Sequence, residues 1–110
     1  MGQIHDLQWQ HKKWLNHNFQ HQEPWEPLLG IGEEVGELMH AHLKGKQGIR
    51  NLDNDVAVIK AKMDALGDIF IYMMSYANTN ALDLENAVER AWNEVSKRDW
   101  ITYPVSGVPE

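Results

Sequence analysis

The stretch "GIGEEVGELMH" puts three carboxylates, Glu33, Glu34 and Glu37, within about a turn and a half of chain. About thirty residues later "AKMDALGDIFIYMMSYAN" puts Asp64 and Asp68 four residues apart in the most apolar segment of the sequence. At helical spacing Asp64 and Asp68 share a face, and so do the pairs Glu33/Glu37 and Glu34/Glu37. Clustered carboxylates repel each other unless a cation sits among them. An ionised carboxylate buried without a partner costs several kcal/mol. Lys60, four residues before Asp64, is a candidate partner for it, but no basic residue stands three or four positions from Asp68. Two acidic pairs meeting across a groove would make an all-oxygen site, the donor set that hard divalent ions such as Mg²⁺ or Mn²⁺ prefer.

The elements that must position these groups read as helices. Alternating β-branched runs and Asn-Gly or Asp-Gly hairpin signals are missing, whereas 3.6-residue periodicity is strong. A first helix is expected over 3–18, with Ile4, Leu7, Trp14 and Leu15 on its apolar side. Pro24 and Pro27 suit the first turn of a second helix that runs to about Lys44. Its stripe is Leu28, Ile31, Val35, Leu38, Met39 and His42, and Gly45 and Gly48 suit its end. Asp53, Asn54 and Asp55 are candidate caps for a third helix over about 54–78, whose second half is apolar nearly all round, as in a buried helix. Asp83 would cap a fourth helix over 84–99 with the stripe Leu84, Ala87, Val88, Ala91, Trp92 and Val95. The tail 101–110 is expected to be irregular.

The expected fold is therefore all-α, a four-helix bundle in one domain over 1–110. So much apolar helix surface on a short chain points to a homo-oligomer. With 16 acidic and 10 basic residues the formal charge is −6, which disfavours a nucleic acid polymer as partner. Cysteine is absent, so disulfides and thiolate metal sites are excluded. The absence of an apolar leader and of a membrane-length apolar run gives the expectation of a cytoplasmic protein without a membrane partner.

"EEVGEL" followed by "DALGDIFIYMMSYAN" resembles the MazG-like, all-α nucleoside triphosphate pyrophosphohydrolases, whose signature is EExxE on one helix and ExxD on the next. The resemblance extends over about residues 14–104 and includes "WNEVSKRDW". It implies Mg²⁺-dependent cleavage of (d)NTPs between the α and β phosphates, in a homodimer or homotetramer with shared active sites. Glu33, Glu34 and Glu37 match EExxE, and Asp68 matches the last residue of ExxD. Ala65 stands where that signature has glutamate, and Asp64 is the available substitute. On this resemblance Glu34, Glu37, Asp64 and Asp68 are metal ligands. Glu33 and Glu34 are the catalytic carboxylates, Glu33 as a ligand or as the base that orients water. Phosphate contacts would come from Lys44, Lys46, Arg50, Lys97 or Arg98, and a base would be held by Trp14, Asn18, Phe19 or Trp25.

Two other readings compete. Glu37-x-x-His40 is the fragment found in di-iron bundles, but a second such motif is missing. An acidic helical module without catalysis, binding a basic partner or a structural ion, is the non-enzyme alternative.

Overall fold

The computed structural model describes residues 2–109. They form four helices, α1 (Gln3–Asn18), α2 (Glu26–Gln47), α3 (Asp55–Thr79) and α4 (Leu84–Val95), with no strand among the described residues. Each boundary has a local cause. Pro27 sits in the first turn of α2, and Gly48 ends that helix in the left-handed region at φ 69°, its N–H bonded to the Lys44 carbonyl at 2.8 Å. The Asn54 side chain accepts from the Ala57 N–H at 2.9 Å and caps α3. Asp83 accepts from the Asn86 N–H at 3.1 Å and caps α4.

Helix α4 is shorter than the expected 84–99. Lys97 and Arg98 tighten into three-residue bonds to the Glu94 and Val95 carbonyls, and the Asp99 carboxylate caps a new turn through the Ile101 and Thr102 N–H groups, both at 3.0 Å. Hydrogen bonding from the Thr102 side chain, joined by the Thr102 and Ile101 N–H groups, holds the Asp99 carboxyl below its ordinary range. The irregular tail folds back on this turn, with the Asp99 N–H bonded to the Gly107 carbonyl at 2.7 Å.

Helix α3 is the hub, packing along α2 and crossing α1 and the start of α4, whereas α2 touches neither α1 nor α4. A small core of Met74, Ala77 and Leu84, flanked by Ile4, Phe70 and Met73, sits where α1, α3 and α4 meet. The α2–α3 seam is a second packed zone. A Cβ on Gly30 would run into the Tyr72 ring, and one on Gly45 would meet the Val58 methyls at 2.9 Å. Gly30→Ala is therefore expected to lower the melting temperature. Overpacking of about 1–3 kcal/mol outweighs the roughly 1 kcal/mol that alanine returns in helix propensity. Gly36→Ala, whose Cβ meets nothing within 4 Å, keeps that propensity gain and is expected to raise it. Thermal melts of the two variants side by side check the sign of each.

Two expectations about burial fail. The inward face of α1 is Ile4, Gln8, His11 and Leu15, while Leu7 and Trp14 face outward. Polar groups dock this helix, because each finds a partner on α3, in the loop after it or at the first residue of α4. Gln8 Nε2 donates to Asn78 Oδ1 at 3.0 Å and to the Leu82 carbonyl at 2.8 Å, and Gln8 Oε1 accepts from the Leu84 N–H at 2.9 Å. The second half of α3 is largely covered, as expected, with Met74, Ser75 and Ala77 buried and only Ile71 exposed over 69–79. Asp64 and Asp68, however, are exposed, and so are Val56, Ile59, Met63 and Leu66 of the first half, on the side away from α2. One chain has too few helices to cover it. The radius of gyration, 17.7 Å, exceeds the roughly 13 Å of a compact chain near this length.

Candidate metal and phosphate site

The two glycine contacts fix how the acidic segments meet. Gly30 lies against Tyr72 and Gly45 against Val58, so α2 and α3 run antiparallel. Counting inward from the first contact sets Glu34 opposite Asp68, Glu37 opposite Ala65 and Ala41 opposite Ala61. The second contact gives the same register within one residue. One groove is indeed lined by Glu33, Glu34, Glu37, His40, Ala41, Leu52, Ala61, Asp64, Ala65 and Asp68. Its empty volume is about 720 Å³, open solvent at its mouth included, which is room for a cation and a phosphate chain.

The electrostatics of the groove are those of uncompensated negative charge. The Glu34 carboxyl is held above its ordinary value, first by desolvation and then by the charges of Asp68, Glu33 and Glu37. Lys60 offsets part of this, bonding Asp64 at 2.9 Å, but both side chains are largely exposed and such a pair contributes little. Lys60 can therefore release Asp64 to a stronger partner.

The donor set, five carboxylates and one imidazole without a thiol, fits a hard or borderline divalent cation. Among the described residues no three of these side chains already converge as a finished metal cage. The residues that would hold a cation are Glu34, Glu37 and Asp68, with Asp64 after release from Lys60, and their side chains would have to rotate inward.

The residues assigned to substrate do not line this groove within one chain. Lys46 lines a shallow apolar groove with Leu38, Met39, His42 and Leu43. Lys44 donates to Gln47 at 3.1 Å. Arg50 stands in the α2–α3 connection at φ 60°. Arg98 packs by Gly107 and Trp100 beyond α4. Trp14 lies between the rings of His11, tilted at 49°, and Phe19, edge-on at 63°, and Asn18 donates to the Trp14 carbonyl at 2.9 Å, all on α1 or directly after it.

Two histidines gain a place that sequence reasoning did not give them. His40 lines the acidic groove. Its signal was the Glu37-x-x-His40 spacing, one turn on the carboxylate side of α2. His11 is buried, with Nε2 2.9 Å from Ser75 Oγ and Nδ1 3.2 Å from Asn78 Nδ2. This Ser-His-Asn arrangement looks nucleophilic, but its proton is in the wrong place. The Gln8 contacts orient the Asn78 amide so that its NH₂ faces His11, and Nδ1 must accept. The proton then sits on Nε2, and His11 donates to Ser75 instead of drawing a proton from it. The pair is a structural link between α1 and α3.

Burial holds the His11 pKa below its ordinary 6.5. The folded chain thus takes up fewer protons here than the unfolded chain. The stability due to neutral His11 is complete above pH 6.5 and is lost as the pH falls through the lowered value. A melting temperature that drops on acidification below 6.5, with a flatter profile in His11→Gln, is the expected result.

Comparisons of the chain with protein-family models, with curated proteins and with solved structures find no match.

Proposed function

We propose that this chain is a Mg²⁺-dependent nucleoside triphosphate pyrophosphohydrolase of the MazG-like type, active as a homo-oligomer. The observation that carries the reading is the meeting of both acidic segments in one groove, with Glu34 opposite Asp68. Carboxylates set against each other at this density lower the stability of a cation-free chain, and a divalent cation would reverse that effect.

In this reading Glu34, Glu37, Asp64 and Asp68 hold the cation, with Mn²⁺ as the alternative to Mg²⁺. The bound ion supplies Lewis acidity, acidifying water and offsetting phosphate charge. Glu33, at the groove edge, orients the attacking water and takes its proton. Water oxygen bonds to the α-phosphorus, the bond from that phosphorus to the αβ-bridging oxygen breaks, and (d)NMP and pyrophosphate leave. Lys46, Arg50, Arg98, Trp14 and Asn18 remain candidates for substrate contacts, reaching a groove from the neighbouring subunit. The unpartnered faces of α3 and α4 support that assembly: Val56 is 77% exposed, and Met63 and Trp92 are each 66% exposed.

The test is product analysis with a panel of NTPs and dNTPs and Mg²⁺. Pyrophosphate plus monophosphate is the expected outcome. Orthophosphate release would overturn the cleavage site. No turnover by folded protein would favour the non-catalytic acidic module, which the same exposed apolar faces also suit.

A further inference from the structure

We propose that α4 of one chain packs into the exposed α3 groove of a second copy, and that the second copy returns the same contact. The inference rests on the homo-oligomer part of the reading above, not on its chemistry, and names the two faces that meet.

Val56, Ile59, Met63 and Leu66 follow each other along α3 at alternating steps of three and four residues, the spacing of a coiled-coil stripe. The same alternation carries on into Phe70, Met73 and Ala77. That second half is covered within the chain, where Leu84, the first residue of α4, joins Met74 and Ala77 in the core and Phe70 and Met73 pack against them. The first half is exposed, and its Val56, Ile59 and Met63 line a groove with Lys60 and Asp64. One stripe is thus half closed and half open, and the residue that helps to close it belongs to α4.

Helix α4 has the complementary defect. Leu84, Val88, Ala91 and Val95 are spaced by four, three and four residues, with Trp92 beside them, yet every residue of α4 after Glu85 is exposed. A helix of 12 residues is marginal in water by itself, and most helical stability in proteins comes from packing an apolar face. Its own chain cannot bring this face to the open groove. Leu84 is fixed beside Ala77, and α4 extends only about 18 Å from there, whereas Ile59 lies about 27 Å back along α3. The α4 of a second copy carries no such tether.

Charge favours this crossed pairing over like with like. Lys60 and Lys62 stand on either side of the open α3 stripe, whereas α4 carries Glu85, Glu89 and Glu94 against Arg90 alone. An α3 packed on a second α3 sets lysines against lysines, and α4 on α4 sets glutamates against glutamates. Crossing the two sets lysine against glutamate. The exposed bond from Lys60 to Asp64 contributes little and can be exchanged for it. The area is sufficient as well. Val56, Ile59, Met63 and Leu66, with Val88, Trp92 and Val95, leave on the order of 700 Å² open, close to the roughly 800 Å² that each partner of a standard interface covers. A contact returned across a two-fold axis uses both faces of each chain and closes the assembly.

The chain has no cysteine, so single introduced cysteines report contact without background. Isotope-labelled Met63→Cys is equilibrated with unlabelled Val95→Cys, treated with a short bismaleimide and read by mass spectrometry of the linked peptides. Met63→Cys alone, Val95→Cys alone and Val95→Cys with Met39→Cys run beside it. Circular dichroism checks that each variant is helical, and light scattering gives the mass. The expected result is a labelled–unlabelled pair linked from α3 to α4, in higher yield than any link in the other three samples. Trp92→Ala is expected to weaken the association by at least about tenfold. Met63→Cys linking chiefly to itself would put α3 on α3, and Val95→Cys linking chiefly to Met39→Cys would put α4 on α2. Either result overturns the proposal while a homo-oligomer stands. A chain that stays monomeric at every concentration overturns the proposal and the homo-oligomer together, and product analysis then judges the hydrolase reading by itself.

Discussion

Asp68→Asn is expected to stop pyrophosphate release and, in the same protein, to raise the melting temperature of the cation-free chain. The two effects have one cause. Asp68 and Glu34 face each other across the α2–α3 seam, and the Asp68 charge helps hold the Glu34 carboxyl above its ordinary 4.5. The folded chain therefore takes up a proton on Glu34 more readily than the unfolded chain does. Desolvation first, and then repulsion from Asp68, Glu33 and Glu37, cost stability at neutral pH, and the cost is relieved as the pH falls through the raised value. Asparagine keeps the shape and removes the Asp68 charge, so that one share of the cost is gone at neutral pH as well. If Asp68 holds the cation as proposed, the same change removes a ligand oxygen, for which a rate loss of about 10²-fold or more is expected. Product assays with Mg²⁺ and melts in EDTA read the two signs separately. A variant that loses activity and stability together would make Asp68 a structural residue. One that keeps activity would overturn the site.

The second large effect concerns assembly. Val56, Ile59, Met63 and Leu66 form one apolar face of α3 on the side away from α2, and the described residues leave it largely exposed. Fully burying one such side chain contributes about 1.5–3 kcal/mol. Ile59→Asp with Met63→Asp is expected to convert a dimer or larger assembly into a monomer. Turnover should fall as well, but because Ile59 and Met63 line a groove with Lys60 and Asp64, the mass and not the rate carries this test. Light scattering behind size exclusion measures the mass. A monomeric unsubstituted protein at assay concentration would overturn the expectation.

Much of the fold was legible in local signals. Helix α1 matches its expected span, and Asn54 and Asp83 cap as their types require. The Lys60–Asp64 bond follows from four-residue spacing alone. The gathering of Glu33, Glu34, Glu37, Asp64 and Asp68 in one groove was legible because two consecutive helices with a short connection pack antiparallel. What failed depended on distant partners. Gln8 and His11 face inward because Asn78, Ser75 and Leu84 receive them, some 64 to 76 residues away, and helical periodicity does not count polar groups as core. The two aspartates read as buried because an all-round apolar helix implies neighbours on every side, and this chain provides them on only part of α3. The phosphate and base contacts were assigned by residue type, which carries no information about distance from the groove.

The fixed tautomer of His11 also makes it a natural spectroscopic probe. Its Nε2 proton lies inside the protein on a bond to Ser75 and exists in that position only while α1 rests on α3. A slowly exchanging imidazole proton in the NMR spectrum would report the attachment of the first helix without any label. Its disappearance under acid, heat or denaturant would time the departure of that helix against the loss of the α2–α3 pair, and so tell whether the chain comes apart as one unit or as two.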